Sequence, residues 1–267
     1  MLGKLLKYEI QGSARNILPL FAASLLFSLL IGLYGGISGL SASWVSILLV
    51  VVEFILIVAL AIMTLVITIQ RFYTNLLGSE GYLMFTLPVS THSLILSKLL
   101  AGVMWIIATT LVVSLSVSIM AGAGDVTRIF SYGLRQLREL ILANGMHPVL
   151  TVLGALATGL LGAANSVLSL YLAMALGQLA NERRFLASFA AFVGLQIAGS
   201  VIVSTVVGIL RKLPPDWFQW LRVWLDALSI ASGVNFIMLG MAFVSALNGA
   251  VYYFLTHWLL KNKLNMI

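Results

Sequence analysis

The chain contains no cysteine, which excludes disulfides and thiol chemistry. Charge is also scarce: 9% of the 267 residues are charged and 61% are hydrophobic, and the mean hydropathy is +1.09. Soluble domains carry about 25% charged residues, so this composition calls for a nonpolar solvent, and the bilayer is the natural one. Acidic residues are the scarcer of the two charged classes, eight against fifteen lysines and arginines. The eight are Glu9, Glu53, Glu80, Asp125, Glu139, Glu182, Asp216 and Asp226, and no two share the close helical spacing that a carboxylate metal site favours. His92, His147 and His257 lie far apart, near the ends of apolar runs, and none belongs to an H-E-x-x-H pair. The G-x-S-x-G elbow and the G-x-x-x-x-G-K-[ST] phosphate loop are both missing. An enzyme is therefore not expected, nor a metal or cofactor, nor ATP binding by that loop.

What is present is a series of long, continuous apolar runs. Barrel strands would alternate polar and apolar residues, whereas about 20 apolar residues in succession span the hydrocarbon core as a helix. The runs fall at 17–38, 44–69, 93–121, 149–178, 187–210 and 229–259. The expected fold is all-α and integral to the membrane, with about six transmembrane helices in one domain over 1–267. The longest segment between runs, 122–148, is too short to build its own core.

The formal charge of +7 would point to nucleic acid only if basic residues clustered on a soluble face. They flank the apolar runs instead, as topology signals do. With the N-terminus inside, the inner side holds Lys4, Lys7, Arg15, Arg71, Lys98, Arg183, Arg184, Lys261 and Lys263. The outer side holds Arg128, Arg135, Arg138, Arg211, Lys212 and Arg222. The excess places both termini in the cytosol.

Three amphipathic pieces flank the spans. In residues 1–16, helical spacing gathers Lys4, Lys7, Gln11 and Arg15 on one face and Leu2, Leu5, Leu6 and Ile10 on the other. Such a helix lies in the headgroup plane with its basic face near anionic lipid. Glu9 intrudes on the apolar face, so it either contacts a partner or sits at the water edge. Within 122–148, Phe130, Leu134, Leu137 and Ile141 form a stripe, with Arg135 and Glu139 spaced for an ion pair on the far side. In 211–228, prolines precede Trp217, Phe218, Trp220 and Trp224, which suit the aromatic belt. Both later pieces are expected as short outer interfacial helices.

Inside the runs, Glu53 is the one carboxylate deep in apolar sequence. An ionisable group there is costly and a functional candidate by default, although Glu53 lies near enough to the outer end to reach headgroups. Asn165, Ser166, Ser169, Gln178, Gln196, Asn235 and Asn248 are further polar residues in spans, and Asn165 joins Glu53 as a candidate path or interface residue. Gly32 and Gly36, and Ser114, Ser118 and Gly122, have the spacing of close helix packing.

The segment 70–98, QRFYTNLLGSEGYLMFTLPVSTHSLILSK, is too apolar for a solvated connector. Exposed Tyr82, Met84, Phe85 and Leu87 would form a docking ridge, Arg71 and Glu80 would orient a partner, Gly78 and Gly81 allow bends, and Ser90 caps the next span. The opening MLGKLLKYEIQGSARNILPL and the segment RFYTNLLGSEGYLMFTLPVSTHSLILSKLL resemble bacterial ABC transporter permeases of the type-2 exporter class, in their Gram-positive form. The resemblance rests on Arg71-Phe72-Tyr73, Glu80-Gly81-Tyr82-Leu83, Phe85-Thr86-Leu87-Pro88 and Ser97-Lys98. It implies a multi-pass protein of the bacterial plasma membrane in which 70–92 carries a cytosolic coupling helix. The partners it implies are a separate pair of ABC ATPase subunits and a second permease copy or paralogue. The coupling residues would be Arg71, Tyr73, Glu80, Gly81, Tyr82, Phe85, Leu87 and Pro88. The segment at 122–148 departs from the family's commoner pattern, in which the outer hairpin lies between spans five and six. The few charges in the spans favour an amphipathic cargo such as a peptide, lipid or drug. The competing classes are a secondary transporter or channel, and a membrane sensor or immunity subunit.

Overall fold

A computed structural model describes residues 2–38, 44–77, 90–121, 148–180, 183–212 and 230–262, with part of 131–142 between them. Its long elements are α1 (Leu2–Ser38), α2 (Trp44–Phe72), α3 (Thr91–Ala121), α4 (Pro148–Gly177), α5 (Arg184–Lys212) and α6 (Ile230–Asn262), and a single π-helical turn, Tyr73–Leu77, follows α2. No strand occurs among the described residues. Six helices are long and apolar enough to cross a membrane, in agreement with the six apolar runs.

The chain divides into two compact units. The first holds Met1–Asn75 and Phe85–Leu137, and the second holds Leu76–Met84 and Arg138–Ile267. In the first unit α1, α2 and α3 all touch one another. The buried stripe of α1 is Glu9, Ser13, Ile17, Phe21, Ser24, Ser28 and Ile31, a succession of three- and four-residue steps along one helical face. That stripe explains a difference from the sequence reading, which separates an interfacial helix at 1–16 from a span starting at 17. Here the two are one helix of 37 residues, with Pro19 inside it. The inward face continues across the expected junction, and at 1.5 Å per residue the helix is about 55 Å long, well beyond the hydrocarbon thickness.

Where helices lie in lipid, tail burial gives little drive for helices to associate, so packing and interhelical hydrogen bonds decide which faces meet. Ile17, Phe21, Leu60, Ile67 and Trp105 form the apolar core of the first unit, with Phe21 and Trp105 edge to face at 6.1 Å. The opposite face of α2 exposes Ile47, Leu48, Val51, Phe54, Ile55 and Ile62, the side suited to acyl chains. On α3 the expected packing stripe is displaced. Ser114 is exposed and returns its hydroxyl to the Thr110 carbonyl at 2.8 Å, while Ser116 is the fully buried serine. Ser90 caps α3 as expected: the Ser93 amide donates to Ser90 Oγ at 3.4 Å.

In the second unit α4 packs against both α5 and α6. Pro148 occupies the first position of α4, where a missing N–H costs nothing. Leu172 and Ala175 of α4 meet Leu259 of α6, with Leu195 of α5 and Tyr252 of α6 packed around them. Of the two later amphipathic pieces, Gly133–Gln136, Arg138 and Glu139 are helical and exposed. The aromatic residues from Trp217 to Trp224 lie outside the described residues.

Candidate functional site

The most concentrated polar site of the first unit lies where the N-terminal turns of α1 meet the end of α2 and the start of α3. Glu9 of α1 is 7% exposed and Lys98 of α3 is 3% exposed. Lys98 Nζ donates to Glu9 Oε1 at 2.6 Å, and Asn75 Nδ2 donates to the same oxygen at 3.4 Å. Arg71 Nη1 stands 3.8 Å from Glu9 Oε2. The Ser13 hydroxyl donates to the Glu9 carbonyl at 2.8 Å, so the backbone under the carboxylate is tied down as well.

Burying an unpaired carboxylate or ammonium is prohibitive. Geometry this close, with additional donors on the carboxylate, is what makes a buried pair tolerable. Glycine at position 12 is part of the arrangement. A Cβ there would lie 2.7 Å from Arg71 Nη1 and 2.8 Å from Arg71 Cζ, so the guanidinium occupies the space a side chain would need. Arg71 and Asn75 precede the segment 78–89, and Lys98 follows it. One carboxylate on α1 thus gathers the residues flanking both ends of that segment.

Farther along the same unit stand two interhelical polar rungs. Thr64 of α2 and Thr109 of α3 share a hydrogen bond of 2.8 Å. Next, Ser24 Oγ donates to Glu53 Oε1 at 3.0 Å and lies 3.1 Å from Ser116 Oγ, joining α1, α2 and α3. Glu53 is 1% exposed. The expectation that it could reach headgroups is not met, because its carboxyl turns into the bundle. Its Oε2 has no hydrogen-bond partner among the described residues. In the second unit Asn165 Nδ2 donates to the Ser245 carbonyl at 2.9 Å, and a Cβ on Gly249 would stand 2.7 Å from Asn165 Oδ1. Asn165 therefore bridges α4 and α6 across a glycine gap.

Of the residues the sequence singles out for coupling, Arg71 lies in the Glu9 site and Tyr73 is exposed in the π-helical turn. Glu80, Gly81, Tyr82, Phe85, Leu87 and Pro88 lie outside the described residues. Glu53 belongs to the first unit and Asn165 to the second. The sequence reading missed Lys98 as the partner of Glu9, and Asn75 altogether. The available signal is the anomaly itself: a carboxylate on the apolar face of a helix needs a counter-charge, and Lys98 stands more than a turn inside an apolar run. No group of three metal-ligating side chains occurs among the described residues.

Comparison with models of known protein families finds no match, and comparisons with curated proteins and with solved structures find none either.

Proposed function

We propose that this chain is the membrane-spanning permease subunit of an ATP-binding-cassette exporter, working with a separate ATPase pair and a second permease copy or paralogue. The coupling helix lies within 70–92, around the segment 78–89, and the excess of inner lysine and arginine supports a cytosolic position for it. The observation that carries the reading is the buried Glu9 site. Asn75 and Lys98, on either side of the segment, donate to one carboxylate of α1, and Arg71 faces its other oxygen. A displacement of the segment would therefore be delivered to α1, α2 and α3 together, as rigid-body switching requires. The docking ridge is Tyr82, Met84, Phe85 and Leu87, oriented by Glu80 and Arg71, with Gly81 and Pro88 shaping the turn and Tyr73 a further coupling residue. An amphipathic peptide, lipid or drug is the cargo class, given how few charges the spans hold.

The test is whether the neighbouring gene encodes an ATPase with a phosphate-binding loop, and then co-expression with that ATPase, pull-down and assay of transport. Glu80→Lys and Leu87→Asp are expected to abolish ATPase retention or transport while membrane insertion stays at the unaltered level. Full retention and full transport in both variants would refute the docking role. A second reading, a transporter driven without an ATPase, draws on Glu53, a fully buried carboxyl in a span of the kind that marks ion or substrate paths. Under that reading no ATPase co-purifies, and Glu53→Gln stops transport without loss of folded protein.

A further inference from the structure

Two buried carboxyls of the first unit are treated differently by their surroundings. Glu9 has Lys98 beside it, whereas the group that faces Glu53 is the hydroxyl of Ser24, with Ser116 behind it. All three are fully buried. Ser28, one turn beyond Ser24, returns its hydroxyl to the Leu25 carbonyl at 2.9 Å, and Thr64 and Thr109 are bonded to each other. On α1 no titratable side chain lies between Arg15 and Tyr34, and on α3 none lies between Lys98 and Ala121. Between Trp44 and Arg71 on α2, Glu53 is the only one. The helices of its own unit therefore offer Glu53 hydroxyls and no counter-charge.

The hydrogens of this junction can be assigned. Ser24 has one hydroxyl hydrogen, and it goes to Glu53 Oε1 at 3.0 Å. The hydrogen of the 3.1 Å contact between Ser24 and Ser116 must then come from Ser116. The chain runs from Ser116 through Ser24 to Oε1 and ends there, while Oε2 has no hydrogen-bond partner among the described residues. Along the helix axis Glu53 stands about 14 Å from Trp44 and about 27 Å from Arg71, which is hydrocarbon depth for a spanning helix. A bare carboxylate is prohibitive there, whereas a neutral carboxyl with one unpaired O–H is far less costly. A hard metal cation takes about six oxygens or more, and the junction offers one carboxyl and two hydroxyls already bonded in series. A proton needs a single oxygen.

We propose that Glu53 is a proton-binding site in which Oε2 holds an exchangeable proton. Ser24, steadied by Ser116, holds Oε1 as the carbonyl acceptor. Loading forms one O–H bond with a proton delivered by hydronium, which leaves as water, and no other bond breaks. Release would place a charge where α1, α2 and α3 meet, so proton occupancy and the packing of these three helices are linked. The site needs neither reading of how transport is driven, and its occupancy is measurable without transport.

The measurement is infrared spectroscopy of the full-length protein at neutral pH, in a maltoside detergent that has no carbonyl of its own. The unaltered protein minus Glu53→Gln is expected to show the carbonyl stretch of a protonated carboxyl, and that band should move to lower frequency in deuterium oxide. Glutamine keeps the volume and the neutral state, so the midpoint of thermal unfolding should fall by no more than about 2 °C. A difference spectrum with carboxylate bands alone would overturn the proposal, as would a band that deuterium oxide leaves in place. Disappearance of the band when sodium chloride replaces choline chloride at constant ionic strength would assign the site to a metal cation and overturn it too. A variant that loses many degrees, or does not fold, would mean that Glu53 is held as a charge, which also overturns it. The unaltered protein decides the same question by itself, since a spectrum without any protonated-carboxyl band leaves no proton on Glu53.

Discussion

Replacing Glu9 by glutamine keeps its volume and removes its charge, leaving Lys98 buried beside a neutral amide. Removing one partner of a buried pair costs about 3–5 kcal/mol, so Glu9→Gln is expected to lower the midpoint of thermal unfolding in detergent sharply. Arg71 is 31% exposed and its ion pair is long, which makes Arg71→Gln worth about 1 kcal/mol or less. Replacing both buried charges at once, Glu9→Leu with Lys98→Met, should recover most of the loss, because no uncompensated charge remains. A double variant no more stable than Glu9→Gln would show that the pair is not the source of the effect. The sequence alone marks Glu9 as out of place but gives no means of choosing among its cations. The carboxylate and Lys98 are 89 residues apart, and no local pattern relates them.

At the scale of the helices, the first unit is an apolar core interrupted by polar rungs that fix which faces meet. The Thr64–Thr109 rung joins α2 to α3, and the Ser24 rung joins all three helices. Thr64→Val and Thr109→Val should each cost about 0.6–2 kcal/mol, the range of interhelical hydrogen bonds in membranes. The double variant should cost clearly less than the sum, since both remove the same bond. Unfolding titrations in mixed micelles provide the comparison, and strict additivity would mean that the threonines do not act as a pair. Helix ends were legible from hydropathy to within a few residues, except at the start of α1. There the amphipathic N-terminal stretch resembles a separate interfacial helix, and only the continuous inward stripe from Glu9 to Ile31 joins it to the span. Ser114 and Ser116 carry the same lesson. Both are small, but the packing face chose Ser116, because face selection depends on the neighbouring helix rather than on side-chain size.

At the scale of the whole molecule, the three-helix unit that holds the Glu9 site contains all the polar side-chain partners named for it. A fragment of residues 1–137 should therefore insert on its own and lose about as much stability on Glu9→Gln as the full chain does, measured by thermal unfolding of each. A fragment indifferent to that change would mean that the site depends on the second unit. Composition and run length by themselves determined that this protein needs a nonpolar solvent and carries six helices long and apolar enough to cross a membrane. Both follow from local hydropathy and from the need to pair backbone groups within each span. Only the tertiary structure decided that α1 is one helix, that Glu53 turns inward to Ser24, and that Glu9 gathers Arg71, Asn75 and Lys98. Those outcomes depend on which helix faces meet, and the energy of burying a charge is settled by partners distant in sequence.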